Sequence, residues 1–270
     1  MTPSDLRLMC VLAHPDDESL GTGGTLAKYA AEGVATYLVT ATRGERGRFG
    51  DCGEAPGPEV VGRTREAELL AASRELGVRD VRILGYPDGG LDAVNWDEAT
   101  GNIAGHLRRV RPQVVATFGP EGAYGHPDHI AVSQLTAAAI VRAADPGFAD
   151  GTGAAPHRVS KLYFIAWGQK KWAAYQAALK RLVSRVDGVE RQVVPWQDWA
   201  ITTVIDTRDV WPIVWRAVSC HKTQMSIYKN LGELANEHLQ ALWGTQEFYR
   251  VFSCVNGGRT QESDLFEGLR

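Results

Sequence analysis

Between residues 8 and 143, short apolar runs alternate with stretches of helical pattern, and no other feature of the sequence limits the architecture as much. Residues 8–13, 34–42, 81–86 and 114–118 are β-branched or apolar and read as buried strands. Gly21, Gly23 and Gly24 precede a helical stretch at 26–31, which Gly33 closes. Residues 64–76 carry Leu69, Ala72 and Leu76 on one helical face, with Gly77 as the stop. Residues 96–110, ended by Pro112, and 129–143 supply two more helices. Strand-helix alternation with short turns predicts an α/β, Rossmann-like, mostly parallel sheet with helices on both faces. G-T-G-G at 21–24 does not match G-x-G-x-x-G, so no dinucleotide is implied.

The stretch 145–155, rich in Gly, Ala, Asp and Pro, reads as a surface loop and not a domain linker. Beyond it the pattern predicts strands at 161–166, 201–205 and 247–252, and helices at 171–183, 210–221 and 231–243. The expected organisation is one domain over 1–270, with a catalytic core at 1–145 and an elaborated, substrate-shaping C-terminal part at 156–270. Seven of the eight Trp lie in that second part, where packing is their default role and one or two could wall a sugar ring.

Apolar residues make up 44% of the chain, enough for a sizeable core. A net charge of −3 exerts no global pull toward nucleic acid or an anionic membrane. The N-terminus reaches acidic residues before any long apolar segment, which predicts neither a signal peptide nor a membrane span. Cys10, Cys52, Cys220 and Cys254 form no C-x-x-C pair and read as buried or idle thiols. The expected setting is the cytoplasm, with a small-molecule partner, no nucleic acid and no membrane; a homo-oligomer stays open.

Four polar clusters each follow a predicted strand: A-H-P-D-D-E at 13–18, T-R-G-E-R-G at 42–47, Y-P-D-G-G-L at 86–91 and G-A-Y-G-H-P-D-H at 122–129. In an open parallel sheet the loops at the strands' carboxyl ends line one crevice, so these clusters should meet in space. A His and three carboxylates at a buried strand end are costly without a compensating cation or donors. His14 and Asp17 offer one bite on an ion, and H-P-D-H adds His126 and His129. Two His, one carboxylate and an open water position make a catalytic zinc arrangement, and the same donors fit some iron(II) and other divalent sites. Taken singly, Asp16 or Asp17 could instead cap the following helix, and either His could sit hydrogen-bonded at the surface. Arg43, Glu45 and Arg46 rim the predicted pocket or pair among themselves. Asp88 binds a sugar hydroxyl or merely belongs to an ordinary P-D-G-G turn.

A-H-P-D-D-E followed downstream by H-P-D-H resembles the PIG-L/LmbE-like family of zinc-dependent de-N-acetylases. G-T-G-G, G-E-R-G at 44–47, the segment 65–77, P-D-G-G-L and H-K-T-Q at 221–224 are similar to family segments as well. The resemblance implies that His14, Asp17 and His129 are metal ligands, with Zn2+ as cofactor, and that Asp16 is the general base. It implies that His126 stabilises the oxyanion or protonates the leaving amine, that Asp128 orients His126, and that Arg65 contacts substrate hydroxyls or phosphate. The implied activity is removal of an N-acetyl group from an N-acetylglucosamine-type sugar or glycoconjugate by metal-activated water. The rivals are an amidase acting on another amide, such as a mycothiol S-conjugate, and a catalytically silent sugar-binding protein. The presence of ligand, base and acid candidates together argues against silence.

Overall fold

A computed structural model describes residues 2, 5–51, 56–149, 151–179, 183–186 and 188–270; the thiol of Cys52, residue 150 of the expected loop and residues 180–182 of the expected helix fall outside them. The expected alternation forms β1 (Arg7–Leu12), α1 (Asp17–Ala31), β2 (Ala35–Thr42), α2 (Pro58–Glu75), β3 (Asp80–Tyr86), α3 (Trp96–Val110) and β4 (Val114–Phe118). A single turn, α4 (Gly122–Gly125), leads into α5 (Pro127–Ala144) and β5 (Lys161–Ala166). The second half holds α6 (Gln169–Leu179), β6 (Val183–Val186), β7 (Val189–Gln192), β8 (Thr203–Asp206), α7 (Trp211–Cys220), α8 (Met225–Gly232), α9 (Asn236–Trp243) and β9 (Thr245–Ser253).

Seven strands form one sheet in the order β3-β2-β1-β4-β5-β9-β8. The first five are parallel, with Cys10 opposite Leu38 on β2 and Ala116 on β4. β9 and β8 extend the sheet antiparallel. Helices cover the sheet in two groups: α1, α2 and α7 pack together, as do α3 and α5. β1, β4 and Leu162 and Tyr163 of β5 are almost wholly buried, as central parallel strands require. The strand order reverses between β1 and β4, and a crevice opens beyond their carboxyl ends at such a switch point.

Three departures from the sequence reading have physical causes. α1 begins at Asp17, so Gly21, Gly23 and Gly24 lie inside the helix and not before it. A Cβ at Gly24 would sit 2.8 Å from Thr207, and one at Gly23 3.2 Å from Val214, so the glycines let α1 press onto the β8–α7 corner. The helix expected at 171–183 is described from Gln169 to Leu179, and Val183, expected at its end, opens the β6–β7 hairpin instead. The helix expected at 231–243 is two helices, α8 ending at Gly232 and α9 starting at Asn236.

Cys10 is buried in the core and its thiol is pushed up to about 12 by burial, which suits an idle side chain. Among the described residues, no helix is long and apolar enough to cross a membrane.

Candidate active site

The A-H-P-D-D-E segment leaves β1 and turns directly into α1. Asp16 is left-handed at the turn, with φ 109° and ψ −26°. Holding a non-glycine residue there costs about 1–3 kcal/mol, and such strain persists only where surrounding contacts over-determine it. Asp17 opens α1, where the free N–H groups of a helix start favour an anion. Its Oδ2 accepts the N–H groups of His14 at 2.7 Å and Ala13 at 3.2 Å. The carboxylate is thereby fixed, and it still faces the crevice.

H-P-D-H leaves α4 and opens α5 with Pro127 in the first turn, a position where the missing N–H costs nothing. His129 is buried and stacks on Phe118, centroids 3.8 Å apart. Its Nε2 lies 3.2 Å from His14 Nδ1. Asp17 stands 3.5 Å from His129 Nε2 and 3.6 Å from His14 Nδ1. On its other side, His14 Nε2 faces Asp128 at 3.0 Å and Asp88 at 3.1 Å.

Three buried carboxylates therefore surround one imidazole. Burial alone would lower the pKa of His14, but hydrogen bonds to Asp128, Asp17 and Asp88 reverse this and raise it well above its usual value. Burial pushes His129 down to about 3, so its ring is neutral and keeps a lone pair to give. His129 Nδ1 and the buried Nδ1 of His221 have no hydrogen-bond partner among the described residues. Facing imidazole nitrogens with a carboxylate across from both, in a centre that attracts positive charge, are a donor set suited to a divalent cation. His14, His126 and His129 also bring ligand atoms within 4.8 Å of one another, as do His14, Asp88 and Asp128.

Asp16 points into the same cavity, which has a volume of about 390 Å³. Its Oδ2 accepts from Arg65 Nη2 at 3.1 Å and from Tyr228 Oη at 3.2 Å. Burial raises its pKa to about 6, with Arg65 opposing and the Asp17 charge adding to the shift. A carboxylate tuned near neutrality suits proton transfer at neutral pH. His126 lines the cavity, and its Nδ1 accepts the N–H of Asp128 at 3.2 Å. In the neutral ring the proton then sits on Nε2, which is free to donate. Burial, and then the charge of His14, lower the pKa of His126.

Some expected roles shift in the folded chain. The Asp128 carboxylate orients His14 and not His126: besides His14 it accepts the N–H groups of Gly89 at 2.7 Å and Leu91 at 3.0 Å. Asp88 lies against His14 and accepts the Arg46 N–H at 2.8 Å, so it lines the cavity from the turn that carries it. Arg65 is only 4% exposed, and its guanidinium ties Asp16 to the carbonyls of Pro15 and Gly44. A methyl group at Gly44 or Gly47 would collide with that guanidinium, which explains the glycines of G-E-R-G. Of the two places open to Arg43, the fold takes the paired one and not the substrate contact: it turns to the outer face and pairs with Glu66 at 3.3 Å, while Arg46 lines the cavity. Tyr228, Trp167 and Gln224 come to the cavity from the second half. The sequence carried no local signal for Tyr228, which belongs to α8 and touches no motif until the chain folds.

Residues 9–140 match the PIG-L family model, described as GlcNAc-PI de-N-acetylase. A "1D-myo-inositol 2-acetamido-2-deoxy-alpha-D-glucopyranoside deacetylase" of Streptomyces avermitilis is 37% identical, over 98% of this chain and 98% of its own length. Its namesake from Kineococcus radiotolerans is 36% identical, over 97% of this chain and 83% of its own. Among solved structures, a conserved protein of Thermus thermophilus superposes with a TM-score of 0.66 at 28% identity, covering 93% of this chain and 97% of that one. The two relatives and the Thermus structure match across both halves of the molecule, and the chain belongs to the PIG-L family of de-N-acetylases, hydrolases that cleave the amide of an N-acetyl group.

Proposed function

We propose that the chain removes the acetyl group from a soluble N-acetylglucosaminyl-inositol or a closely related glycoside, with His14, Asp17 and His129 holding a Zn2+ ion. The observation that carries this reading is the meeting of His14 Nδ1, His129 Nε2 and the Asp17 carboxylate within 3.2–3.6 Å, beside Asp16 in one cavity. The full-length similarity to deacetylases of such a glycoside supports the substrate class.

A metal bound there would acidify water and polarise the amide carbonyl. The chain's own groups do the rest. Asp16 takes a proton from the attacking water through the oxygen that Arg65 and Tyr228 leave free. His126 donates Nε2–H to the carbonyl oxygen as charge develops on it. The departing amine needs a proton, and Asp16, which holds the one taken from water, supplies it. Asp128 keeps His14 turned so that Nδ1 faces the ligand position, the outer-shell role typical of carboxylates behind a metal-binding His. Leu20, Ile165 and Trp167 give the cavity an apolar wall, while Arg46, Asp88 and Gln224 offer hydrogen bonds to hydroxyls. The thiols of Cys10, Cys220 and Cys254 are free, which suits a reducing cytoplasm.

The test is release of acetate and free amine from N-acetylglucosaminyl-inositol, N-acetylglucosamine, an S-conjugated mycothiol amide and an acetylated peptide, with metal content measured in parallel. Turnover of the first compound with about one divalent ion per chain is expected. Turnover confined to the peptide would remove the sugar reading and leave the hydrolase.

A further inference from the structure

Apart from Gln224, which lines the cavity, the H-K-T-Q segment at 221–224 takes no part in these steps, although His221 and Thr223 are buried beside them. His221, Thr223 and Gln224 are 0%, 6% and 3% exposed. His221 follows α7 and reaches across to A-H-P-D-D-E, where its Nε2 lies 2.7 Å from Glu18 Oε1. Both side chains are wholly buried. The other oxygen of Glu18 accepts the N–H of Asp16 at 3.0 Å. The peptide so held is the one at φ 109°.

The next two residues grip the remaining supports of Asp16. Thr223 donates its N–H at 2.9 Å and its hydroxyl at 2.7 Å to Glu68. Glu68 lies three residues beyond Arg65 on α2, on the same side of the helix. The Thr223 carbonyl accepts the Gly50 N–H at 2.8 Å, and Gln224 donates to the Arg48 carbonyl at 2.7 Å. Those contacts pin the loop whose Gly44 carbonyl receives Arg65.

A wholly buried imidazole–carboxylate pair is a poor device for stability, because apolar side chains of the same volume fill such space without the desolvation cost. His221 Nδ1 is also left without a partner among the described residues. What the pair does provide is a fixed acceptor for one strained peptide N–H. We propose that His221 is a positioning residue: through Glu18 it holds Asp16 in its left-handed conformation and so aims the carboxylate into the cavity. The inference rests on Asp16 being the base, as read above.

The test makes His221→Leu and His221→Gln in the native and the Asp16→Asn backgrounds and assays them on N-acetylglucosaminyl-inositol. His221→Leu is expected to lower kcat by about 10²-fold, the scale of a misplaced catalytic group, with KM and metal content unchanged. His221→Gln, which keeps a donor, recovers most of that loss. In the Asp16→Asn background His221→Leu costs nothing further, and the crystal structure of His221→Leu in the native background shows Asp16 outside the left-handed region. Equal losses in both backgrounds, or Asp16 unmoved in the variant, would overturn the proposal. Should His221→Leu fail to fold, Glu18→Gln is carried through the same comparison, with the same two results deciding. Near-normal turnover in Asp16→Asn alone would instead overturn the base reading, and the φ of Asp16 in His221→Leu then decides the positioning claim by itself.

Discussion

Two buried charge clusters sit at opposite ends of the same sheet. At the carboxyl end, His14, Asp17, Asp88, Asp128 and His129 crowd together, and His129 Nδ1 has no partner among the described residues. Near the amino end of β5, Glu262 is wholly buried and accepts from Lys161 at 2.6 Å, from Arg250, Asn256 and Tyr163 at 2.7 Å each, and from Thr203 at 2.8 Å. Both places bury carboxylates and cations. In the second the protein supplies every donor itself, and the network ties the C-terminal segment to β5, β8 and β9. In the first, imidazole nitrogens face each other and a carboxylate, and one buried ring nitrogen is left without a partner among the described residues. Satisfied polar networks fix structure, whereas an uncompensated one marks a place that something from outside must complete.

Replacing one charge at each end separates these roles most sharply. Asp16→Asn should lower turnover by about 10²–10⁴-fold, since an amide cannot take the proton of water. Bound metal should be retained. The melting temperature should stay level or rise, because burial already favours the uncharged form of this side chain. Turnover is read by acetate release and stability by a thermal melt. A large fall in stability with little loss of turnover would place Asp16 with the structural network.

Glu262→Leu should do the reverse. It leaves Lys161 and Arg250 buried without their carboxylate, a change that destabilises by about 3–5 kcal/mol. Urea unfolding measures the loss, and kcat per folded molecule should not change. Reduced kcat in the folded fraction would mean that the far network shapes the site after all.

The two ends also differ in how far the sequence disclosed them. The site's ligand and base candidates lie within two short motifs, each placed by a strand whose apolar run is unmistakable, so His14, Asp16, Asp17, His126 and His129 were legible before folding. Local sequence could not show which partner a side chain chooses. Asp128 turns to His14 because the β3–α3 turn offers it the N–H groups of Gly89 and Leu91. Arg43 turns outward because Glu66 waits on the next helix. Nothing near Glu262 announced its network, whose members come from β5, β8, β9 and the C-terminal segment. The β6–β7 hairpin did leave a signal, D-G at 187–188 between two Val-containing runs, which the helical pattern of the preceding residues obscured.

A ligand that completes the first cluster should stabilise the fold through that cluster alone. Protein stripped with a chelator and then given Zn2+ at about a hundred times its dissociation constant should gain about 2.7 kcal/mol. The gain should be the same in Glu262→Leu, because the sites are distant and share no partners. It should vanish in His14→Ala. An equal gain in His14→Ala would show that the ion binds elsewhere.

Acid should reveal the satisfied network by a smaller effect. Burial alone would raise the pKa of Glu262, but its bonds to Lys161, Asn256, Tyr163 and Thr203 outweigh this and bring it from 4.5 to about 2. The folded state thus holds the ionised form more strongly than the unfolded chain does. Above pH 4.5 the carboxylate is ionised in both states and its contribution to stability is present in full. As the pH falls below that value the unfolded chain takes up the proton first, and stability declines until the folded carboxyl also titrates near 2. At pH 3 the loss from this one group is about 2 kcal/mol, at 1.36 kcal/mol per pH unit. Glu262→Gln has no proton to bind there, so its stability should fall less steeply between pH 4.5 and 3 even though it starts lower. Urea unfolding across that range measures both slopes. Parallel slopes would mean that the acid sensitivity comes from other carboxylates, and that this network, for all its donors, holds Glu262 no more firmly than water does.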